Sequence, residues 1–357
     1  MADEPRNSTR PSEWLAWGAL VLILVVFPVA VLGYQFLARP ALAEVRTIDI
    51  IAAAPEAGGF QPESIRVAAG ETVRLRFSVP DVTHGIAFGP GLGLDLGQLD
   101  PGQVKEVEVT FDEAGRYTLY CNTWCSPNHW RMRSTIEVYD PAQPDRLTIS
   151  DTNDPVIDSL AERGVDIDAP HQAAVVPKDR PSAARGAEVV AGLGEALPVE
   201  LADPAWRRSH SPAEAWRLLV GTGLNEADAR DAVAHLWLSE LDSARREIAT
   251  DLYAKNCAAC HGETGDGRGP GAEALAAQGM GHTGEMHPTD GPTAFTDLTT
   301  MLGGSGDIYY AKIRRGGMGT GMPGFGPLFT PEETWSLVDY LWTFVFEAEG
   351  QGASDRD

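Results

Sequence analysis

The pattern of apolar and polar residues divides the chain into three regions. Near the N-terminus, positions 14–38 hold no charged residue and are dominated by Leu, Val, Ala and Ile. Between residues 45 and 140, short runs alternate apolar and polar residues with period two, which predicts strands with one buried face. Near the C-terminus, apolar residues recur at helical spacing, namely Trp335, Val338, Leu341, Trp342 and Val345. The pattern therefore predicts a multidomain chain with an apolar helix, an all-β sandwich and an all-α region.

The N-terminal apolar run is long enough to cross a bilayer core of ~30 Å. We therefore expect a transmembrane helix over residues 14–38, after a short tail over residues 1–13. A cleaved signal peptide is the alternative, because Ala41-Leu-Ala43 resembles a cleavage site. We favour an uncleaved anchor, because the run exceeds the ~7 to 15 apolar residues typical of a signal peptide.

Four runs in the second region predict strands: Thr72–Ser78, Val107–Phe111, Arg116–Tyr120 and Ser134–Tyr139. A turn-like stretch that begins with Asp and ends with Gly separates the second run from the third. The segment from Cys121 to Met132 lies between the last two strands. We expect it to form a loop at one end of the sandwich.

This loop concentrates soft metal ligands. Cys121, Cys125, His129 and Met132 form a Cys-x3-Cys-x3-His-x2-Met run. A mononuclear blue-copper site uses one thiolate, two histidines and a weak axial ligand, so it does not explain the second cysteine. Two thiolates can instead bridge two copper ions, and His84 supplies a second imidazole. The alternative is a disulfide between the two cysteines, which leaves the other ligand positions unexplained.

The ligand set resembles the CuA centre of subunit II of the haem-copper oxidases. The resemblance covers residues 45–140 and implies a cupredoxin sandwich with dinuclear copper, to which the backbone carbonyl of Thr123 is a further ligand. Most chains of that family carry two membrane helices and a Trp-Tyr-Trp-like cluster ahead of the sandwich. This chain has one predicted membrane helix and no such cluster. A single membrane anchor resembles the ba-type branch of the oxidases. Ser126 also stands where glycine is usual, which leaves a copper-containing nitric oxide reductase open.

A second cofactor motif follows. Cys257, Cys260 and His261 form Cys-x-x-Cys-His, the covalent attachment site of a c-type haem, with histidine as an axial ligand. The second axial position needs a soft donor in a high-potential haem. We favour Met322, whose Met-Pro setting in a glycine-rich loop resembles the distal loop of class I cytochromes c. The other candidates, in falling order, are Met318 and then Met280, Met286, His282 and His287. A zinc half-site or a thioredoxin-like dithiol is less favoured, because no second ligand pair and no preceding strand accompany the motif.

Helical patterns surround the haem motif and predict a cytochrome c domain over residues 247–348. One helix leads into the motif over residues 245–256, and Thr330-Pro-Glu-Glu333 supplies a capping box for another. Residues 206–246 predict a helical extension of this domain. Residues 141–205 are rich in Ala, Pro, Asp and Val without periodicity, so we expect an extended linker there.

The charge and the cysteine usage bear on the kind of partner and on the cellular compartment of the protein. The chain has 51 acidic and 28 basic residues, a net charge of -23, which argues against a nucleic-acid partner and for a basic or neutral redox partner. The alternative is that the acidic surface only maintains solubility. All four cysteines belong to the two cofactor motifs. Haem attachment in the cytochrome c family takes place outside the cytoplasm. The resemblance therefore implies a single-pass bacterial inner membrane protein with residues 1–13 as a cytoplasmic tail and its redox domains on the periplasmic face.

Together the resemblances imply an electron-transfer subunit of a membrane haem-copper terminal oxidase. Electrons from a cytochrome c or a quinol-oxidising complex would pass through haem c and CuA to a haem-copper catalytic subunit I, which reduces oxygen to water. In this interpretation the chain itself holds no catalytic residue. A nitric oxide reductase subunit and a free-standing membrane-anchored electron shuttle are the alternatives. A copper chaperone on a thioredoxin fold is disfavoured, because His84 precedes the cysteines and a chaperone needs no haem.

Overall fold

The computed structural model describes residues 11–34, 45–126, 129–144, 154–167, 169, 174–177, 179–273, 291–317 and 322–347, without the side chains of residues 11–13 and Trp130. Along these residues an N-terminal helix, a two-sheet sandwich and a helical region follow one another. The predicted fold class and the order of its parts are confirmed.

The N-terminal helix is apolar on every side from Trp14 to Gly33. It consists of Pro11–Val21, a π-helical segment Leu22–Val26, and Phe27–Gly33. The π-helical segment ends just before Pro28, a residue that lacks the N–H needed for a regular α-helical ladder. Residues Trp14–Gly33 form a candidate membrane span of 20 residues with a mean hydropathy of 2.8, none of it buried against the rest of the protein. Residues 35–38 of the predicted span lie outside the described residues.

Nine strands are present in the described residues. They are β1 (Arg46–Ala52), β2 (Phe60–Gln61), β3 (Ser64–Ala68), β4 (Thr72–Ser78), β5 (His84–Gly89), β6 (Leu94–Leu99), β7 (Val104–Thr110), β8 (Gly115–Tyr120) and β9 (Arg133–Tyr139). One sheet has the order β2-β1-β4-β7 and the other the order β3-β9-β8-β5-β6. The β1–β4 and β3–β9 pairs are parallel. The two inner faces enclose one apolar core.

The four strands predicted from alternation are observed as β4, β7, β8 and β9. In β4, Val73, Leu75 and Phe77 are fully buried, while Thr72 and Arg76 are exposed. The predicted turn after β7 leads into β8, which lies in the other sheet, so it connects the two layers of the sandwich. Strand β5 is buried at every position, so its sequence shows no alternation.

The remaining region is helical. Its described helices are Pro155–Glu162, Ala183–Leu193, Val199–Ala202, Pro204–Ser209, Pro212–Gly221, Glu226–Leu238, Ser243–Asn256, Ala258–His261, Leu298–Met301, Gly306–Arg315 and Pro331–Val345. The predicted capping box is present: Thr330 Oγ1 accepts a hydrogen bond from the Glu333 N–H at 3.1 Å, and the Glu333 carboxylate accepts one from the Thr330 N–H at 2.7 Å. One apolar core runs through most of these helices and includes Ala87 and Tyr120 of the sandwich. A smaller apolar cluster holds Leu160, Ile167 and Ala311.

The segment expected to be an extended linker is partly helical and packed, which corrects that expectation. Helix Ala183–Leu193 lies against helix Glu226–Leu238. The approach is so close that a Cβ on Gly186 would lie 1.8 Å from the carbonyl oxygen of Asp231. Further upstream, the Asp154 carboxylate accepts hydrogen bonds from Tyr310 Oη at 3.0 Å and Arg314 Nε at 2.9 Å. From Asp154 onward, these contacts join the described part of this segment to the helical region.

Candidate copper and haem centres

Three neighbouring strands bring the predicted copper ligands to one end of the sandwich. Strand β8 ends immediately before Cys121, and β9 begins immediately after Met132. The two strands pair, and the Cys121 N–H donates to the Met132 carbonyl at 3.2 Å, which closes the base of the loop. Strand β5 pairs with the other edge of β8 and begins at His84. The sheet order therefore places an upstream histidine beside the cysteine loop.

The soft donor atoms of the predicted ligands meet at this point. Cys121 Sγ lies 4.0 Å from Cys125 Sγ and 4.0 Å from His84 Nδ1. Cys125 Sγ lies 3.6 Å from His129 Nδ1 and 4.0 Å from Met132 Sδ. The ligand atoms of His84 and the two cysteines all lie within 4.8 Å of one another. Both imidazoles thus turn the same nitrogen toward the sulfur pair.

The sulfur pair is not a disulfide, because 4.0 Å is about twice the ~2.05 Å of an S–S bond. The backbone adds one more donor: the carbonyl oxygen of Thr123 lies 3.2 Å from Cys121 Sγ. Two sulfurs, two imidazoles, a thioether and a carbonyl form a donor set that suits copper, since thiolate, thioether and imidazole ligands favour this metal.

The protonation of the two thiols is linked. Burial favours the neutral form of Cys121, but hydrogen bonds with Cys125 and with the backbone of Thr123 and Gly85 hold its pKa below the ordinary value. The hydrogen bond with Cys121, followed by burial, raises the pKa of Cys125 to about 11. One proton therefore leaves the pair more easily than the second. Loss of both is favoured by a bound cation, since metal binding to thiols releases their protons.

A carboxylate orients the upstream histidine. His84 is fully buried, and its Nε2–H donates to Asp81 Oδ1 at 2.8 Å, so Nδ1 is left to face the sulfurs. The N–H groups of Ala54 and Val82 also donate to the Asp81 carboxylate, at 2.6 and 2.7 Å, which fixes its position. Metal-ligating histidines commonly have such a partner. The sequence analysis misses Asp81; its Asp-x-x-His spacing is the signal that could have found it.

The haem attachment motif has the features that a covalently held haem requires. Cys257 and Cys260 are free thiols. The Nδ1–H of His261 donates to the Thr293 carbonyl at 2.9 Å, which leaves Nε2 available to iron. The ring stacks on Phe295 with centroids 4.5 Å apart and an interplanar angle of 17°. Burial lowers the pKa of His261, which favours the neutral imidazole that a ligand must be.

Of the candidates for the second axial ligand of the haem, only Met322 lies among the described residues. Met322 is partly buried against the helical core, and its carbonyl accepts a hydrogen bond from the Gly317 N–H at 3.2 Å. The other candidates lie outside the described residues, namely Met318, Met280, Met286, His282 and His287. Met322 therefore stays a prediction.

Comparisons with known proteins find similarity to cytochrome c and to cytochrome c oxidase subunit 2. Residues 247–344 match the family model for cytochrome c. Over 80 residues the chain is 37% identical to a cytochrome c oxidase subunit 2 of Thermus thermophilus, which covers 22% of this chain and 58% of the relative. A second such protein, also from Thermus thermophilus, is 37% identical over 80 residues, which cover 22% of this chain and 46% of that relative. The chain thus spans about half the length of these curated relatives.

The matches to solved structures have lower sequence identities and low TM-scores. A chain from the cryo-EM structure of a heme-copper terminal oxidase dimer is 20% identical, with 36% of this chain and 100% of that chain covered and a TM-score of 0.24. The periplasmic domain of subunit II of cytochrome oxidase from Bradyrhizobium japonicum is 19% identical, with 29% and 90% covered and a TM-score of 0.23. At these TM-scores neither likeness carries an argument about function. The chain joins a part that is similar to cytochrome c oxidase subunit 2 to a part that matches the cytochrome c family.

Proposed function

We propose that this chain is the electron-transfer subunit II of a membrane haem-copper terminal oxidase. The observation that carries the proposal is the convergence of two thiols, two imidazole Nδ1 atoms and a thioether at the end of a sandwich, in a chain that also holds a haem attachment motif. Either motif alone occurs in many electron carriers. Their combination favours a protein that accepts electrons on one cofactor and delivers them from the other.

The two cofactors, when bound, supply one-electron redox chemistry. The proposed copper ligands are His84, Cys121, Cys125, His129, Met132 and the Thr123 carbonyl, and the proposed haem ligands are Cys257, Cys260, His261 and Met322. The chain contributes rigidity, because three paired strands fix the ends of the copper loop. A ligand set held this firmly changes little when its charge changes.

The N-terminal helix would anchor the chain beside a catalytic haem-copper subunit, with the sandwich and the cytochrome region on the outer face of a bacterial inner membrane. A cytochrome c or a quinol-oxidising complex would donate the electrons. Oxygen would be reduced to water in the partner subunit, since this chain is proposed to carry electrons only. The similarity to subunit 2 of cytochrome c oxidase supports this arrangement.

The experiment that tests the proposal is purification of the native membrane complex through a tag on this chain. Oxygen and nitric oxide consumption are then measured side by side with an artificial electron donor. Copurification of a large haem-containing subunit with fast oxygen uptake is the expected result. Nitric oxide uptake with little oxygen turnover would indicate a nitric oxide reductase. Absence of both a large partner and gas consumption would favour a free-standing electron shuttle.

A further inference from the structure

The copper loop touches the haem attachment loop through one aromatic side chain. Trp124 lies between the two copper-loop cysteines, and its ring centroid is 5.8 Å from that of His129. The same ring lies beside Gly271, where an added Cβ would lie 2.8 Å from Cη2 and Cζ3. The Gly271 N–H donates to the carbonyl of Ala259 at 2.7 Å, and Ala259 lies between the two haem cysteines. Trp124 therefore contacts both loops.

A polar chain spans the same interface. The Asp95 carboxylate accepts a hydrogen bond from Asn122 Nδ2 at 3.0 Å and forms an ion pair with Lys255 Nζ at 2.8 Å. Asn122 directly follows Cys121, and Lys255 stands two residues before Cys257. Residues next to a proposed ligand of each cofactor are thus tied to one carboxylate.

A second polar link joins the far end of the copper loop to the loop that follows Met322. Arg133 comes directly after Met132, and its Nη1 donates to the Gly324 carbonyl at 2.9 Å. The guanidinium also lies over the Phe325 ring, with its carbon 5.9 Å from the centroid. These polar links, like Trp124, join the haem region to the copper end of the sandwich.

We propose that Trp124 is the side chain through which electrons pass between the haem loop and the copper loop, with Lys255, Asp95 and Arg133 as positioning residues. The proposal rests on the function proposed above. With both cofactors bound, one electron would pass from the haem, oxidising its iron from ferrous to ferric, to the copper pair, which would be reduced by that electron. No bond would form or break and no proton would move.

Among the three links, Trp124 alone offers an aromatic ring in contact at both ends. The ring is covalently one residue from Cys125, and the Gly271 backbone against which it rests is hydrogen-bonded to the segment between Cys257 and Cys260. Contact at both ends matters because electron tunnelling weakens steeply across empty gaps. Gly271 matters for the same reason, since a side chain there would push the two loops apart.

The test uses the full chain in detergent, loaded with copper and haem. A photoexcited ruthenium polypyridyl complex with a sacrificial amine reduces the haem, and the re-oxidation of haem and the reduction of copper are followed in time. The variants are Trp124→Leu, Trp124→Phe and Gly271→Ala. The last changes the opposite side of the contact and leaves the amino-acid sequence of the copper loop unchanged. Trp206→Phe is the control, because Trp206 also stacks on a histidine, His210, at 3.9 Å, in the helical extension.

We expect Trp124→Leu and Gly271→Ala to slow electron transfer by about tenfold or more, because small displacements of reacting groups have large rate effects. Trp124→Phe should slow it less, and Trp206→Phe should leave it unchanged. The midpoint potentials and copper content of Gly271→Ala should match those of the wild type, which separates a lost coupling from a changed driving force.

A wild-type rate in both Gly271→Ala and Trp124→Phe would overturn the proposal and place the route elsewhere in the interface. An equal slowing in Trp206→Phe would also overturn it. A wild-type chain that binds no dinuclear copper would instead contradict the proposed function, which this experiment reports separately through the copper spectrum before any flash.

Discussion

Asp81 and His84 are joined by a 2.8 Å hydrogen bond that leaves the other ring nitrogen of the histidine facing Cys121. The ring is fully buried, so its orientation depends on this partner. The carboxylate is itself held by two backbone N–H groups. The arrangement fixes the one proposed copper ligand that does not come from the cysteine loop.

Replacing Asp81 with Asn should therefore weaken copper binding. Loss of such an outer partner typically costs about 10 to 100-fold in metal affinity. A chelator competition titration measures the effect. Asp100→Asn is the matched control, because Asp100 accepts a hydrogen bond from Thr83 at 2.8 Å and touches no proposed ligand. Equal affinities in both variants would show that Asp81 does not orient the ligand.

Replacing Met132 with Leu should shift the copper potential more than it lowers the copper content. The side chain is fully buried and the change is nearly isosteric, while an axial thioether tunes the metal more than it holds it. Redox titration and metal analysis on the same sample measure both quantities. Met301→Leu, in the helical core, makes the same change away from the copper loop. A large loss of copper at an unchanged potential would contradict the axial role.

Replacing Met322 with Ala should convert the haem to a high-spin or misligated form, because the iron would lose its soft axial donor. The absorption spectrum of the oxidised and the reduced protein measures this directly. An unchanged low-spin spectrum would move the assignment to Met318.

The haem region should lose stability as the pH rises through about 6 because of Asp339. Burial raises the pKa of this carboxyl to about 6, although Arg245, at 2.6 Å, and Arg208 favour the charged form. The carboxyl is protonated in both states below about pH 4, so its contribution is fully present there. Above that pH the unfolded chain ionises first, and roughly 3 kcal/mol is lost by the time the folded carboxyl has ionised.

The measurement is denaturant unfolding followed at the haem absorption band from about pH 4 to about pH 7. Asp339→Asn cannot ionise at this position, so its stability relative to the wild type should rise with pH. A difference between the two proteins that stays constant with pH would contradict the assignment.

Replacing Ser126 with Ala should leave the sandwich as stable as before or stabilise it by up to about 1 kcal/mol. The hydroxyl is buried and has no hydrogen-bond partner among the described residues. Ser134→Ala is the contrasting variant, because Ser134 is buried and donates to the Pro62 carbonyl at 2.9 Å. In thermal unfolding, Ser126→Ala should be at least as stable as the wild type and Ser134→Ala should be less stable. The reverse order would contradict the difference in hydrogen bonding between the two hydroxyls.

The fold class and much of the sandwich could be predicted, because strands with one buried face leave a period-two pattern. Strand β5 could not be predicted in this way, since burial on both faces removes the alternation. The helices within residues 154–205 could not be predicted either, because contacts with distant residues stabilise them. Asp154 and Gly186 are stabilised in place by contacts with distant residues, and local periodicity does not report such contacts.

The five proposed side-chain ligands of copper could be found because four of them lie in one short motif and the copper chemistry called for a second histidine, which His84 supplies. Their assignment stays a prediction, although their donor atoms lie close together. The proposed roles of Asp81 and Trp124 could not be predicted from the sequence, because they depend on neighbours in the tertiary structure. A tryptophan inside a cysteine loop gives no sign of its contact with Gly271, which lies far along the chain.

The loop that carries Cys121 and Cys125 is proposed to hold a dinuclear copper centre. Metal analysis of the purified chain, together with its electron paramagnetic resonance spectrum, tests this assignment. We expect a copper pair and a hyperfine pattern from one unpaired electron shared equally by both copper nuclei, which Cys121→Ser and Cys125→Ser should each abolish. A spectrum of a single localised copper ion, or a shared-electron spectrum that survives either substitution, would contradict it.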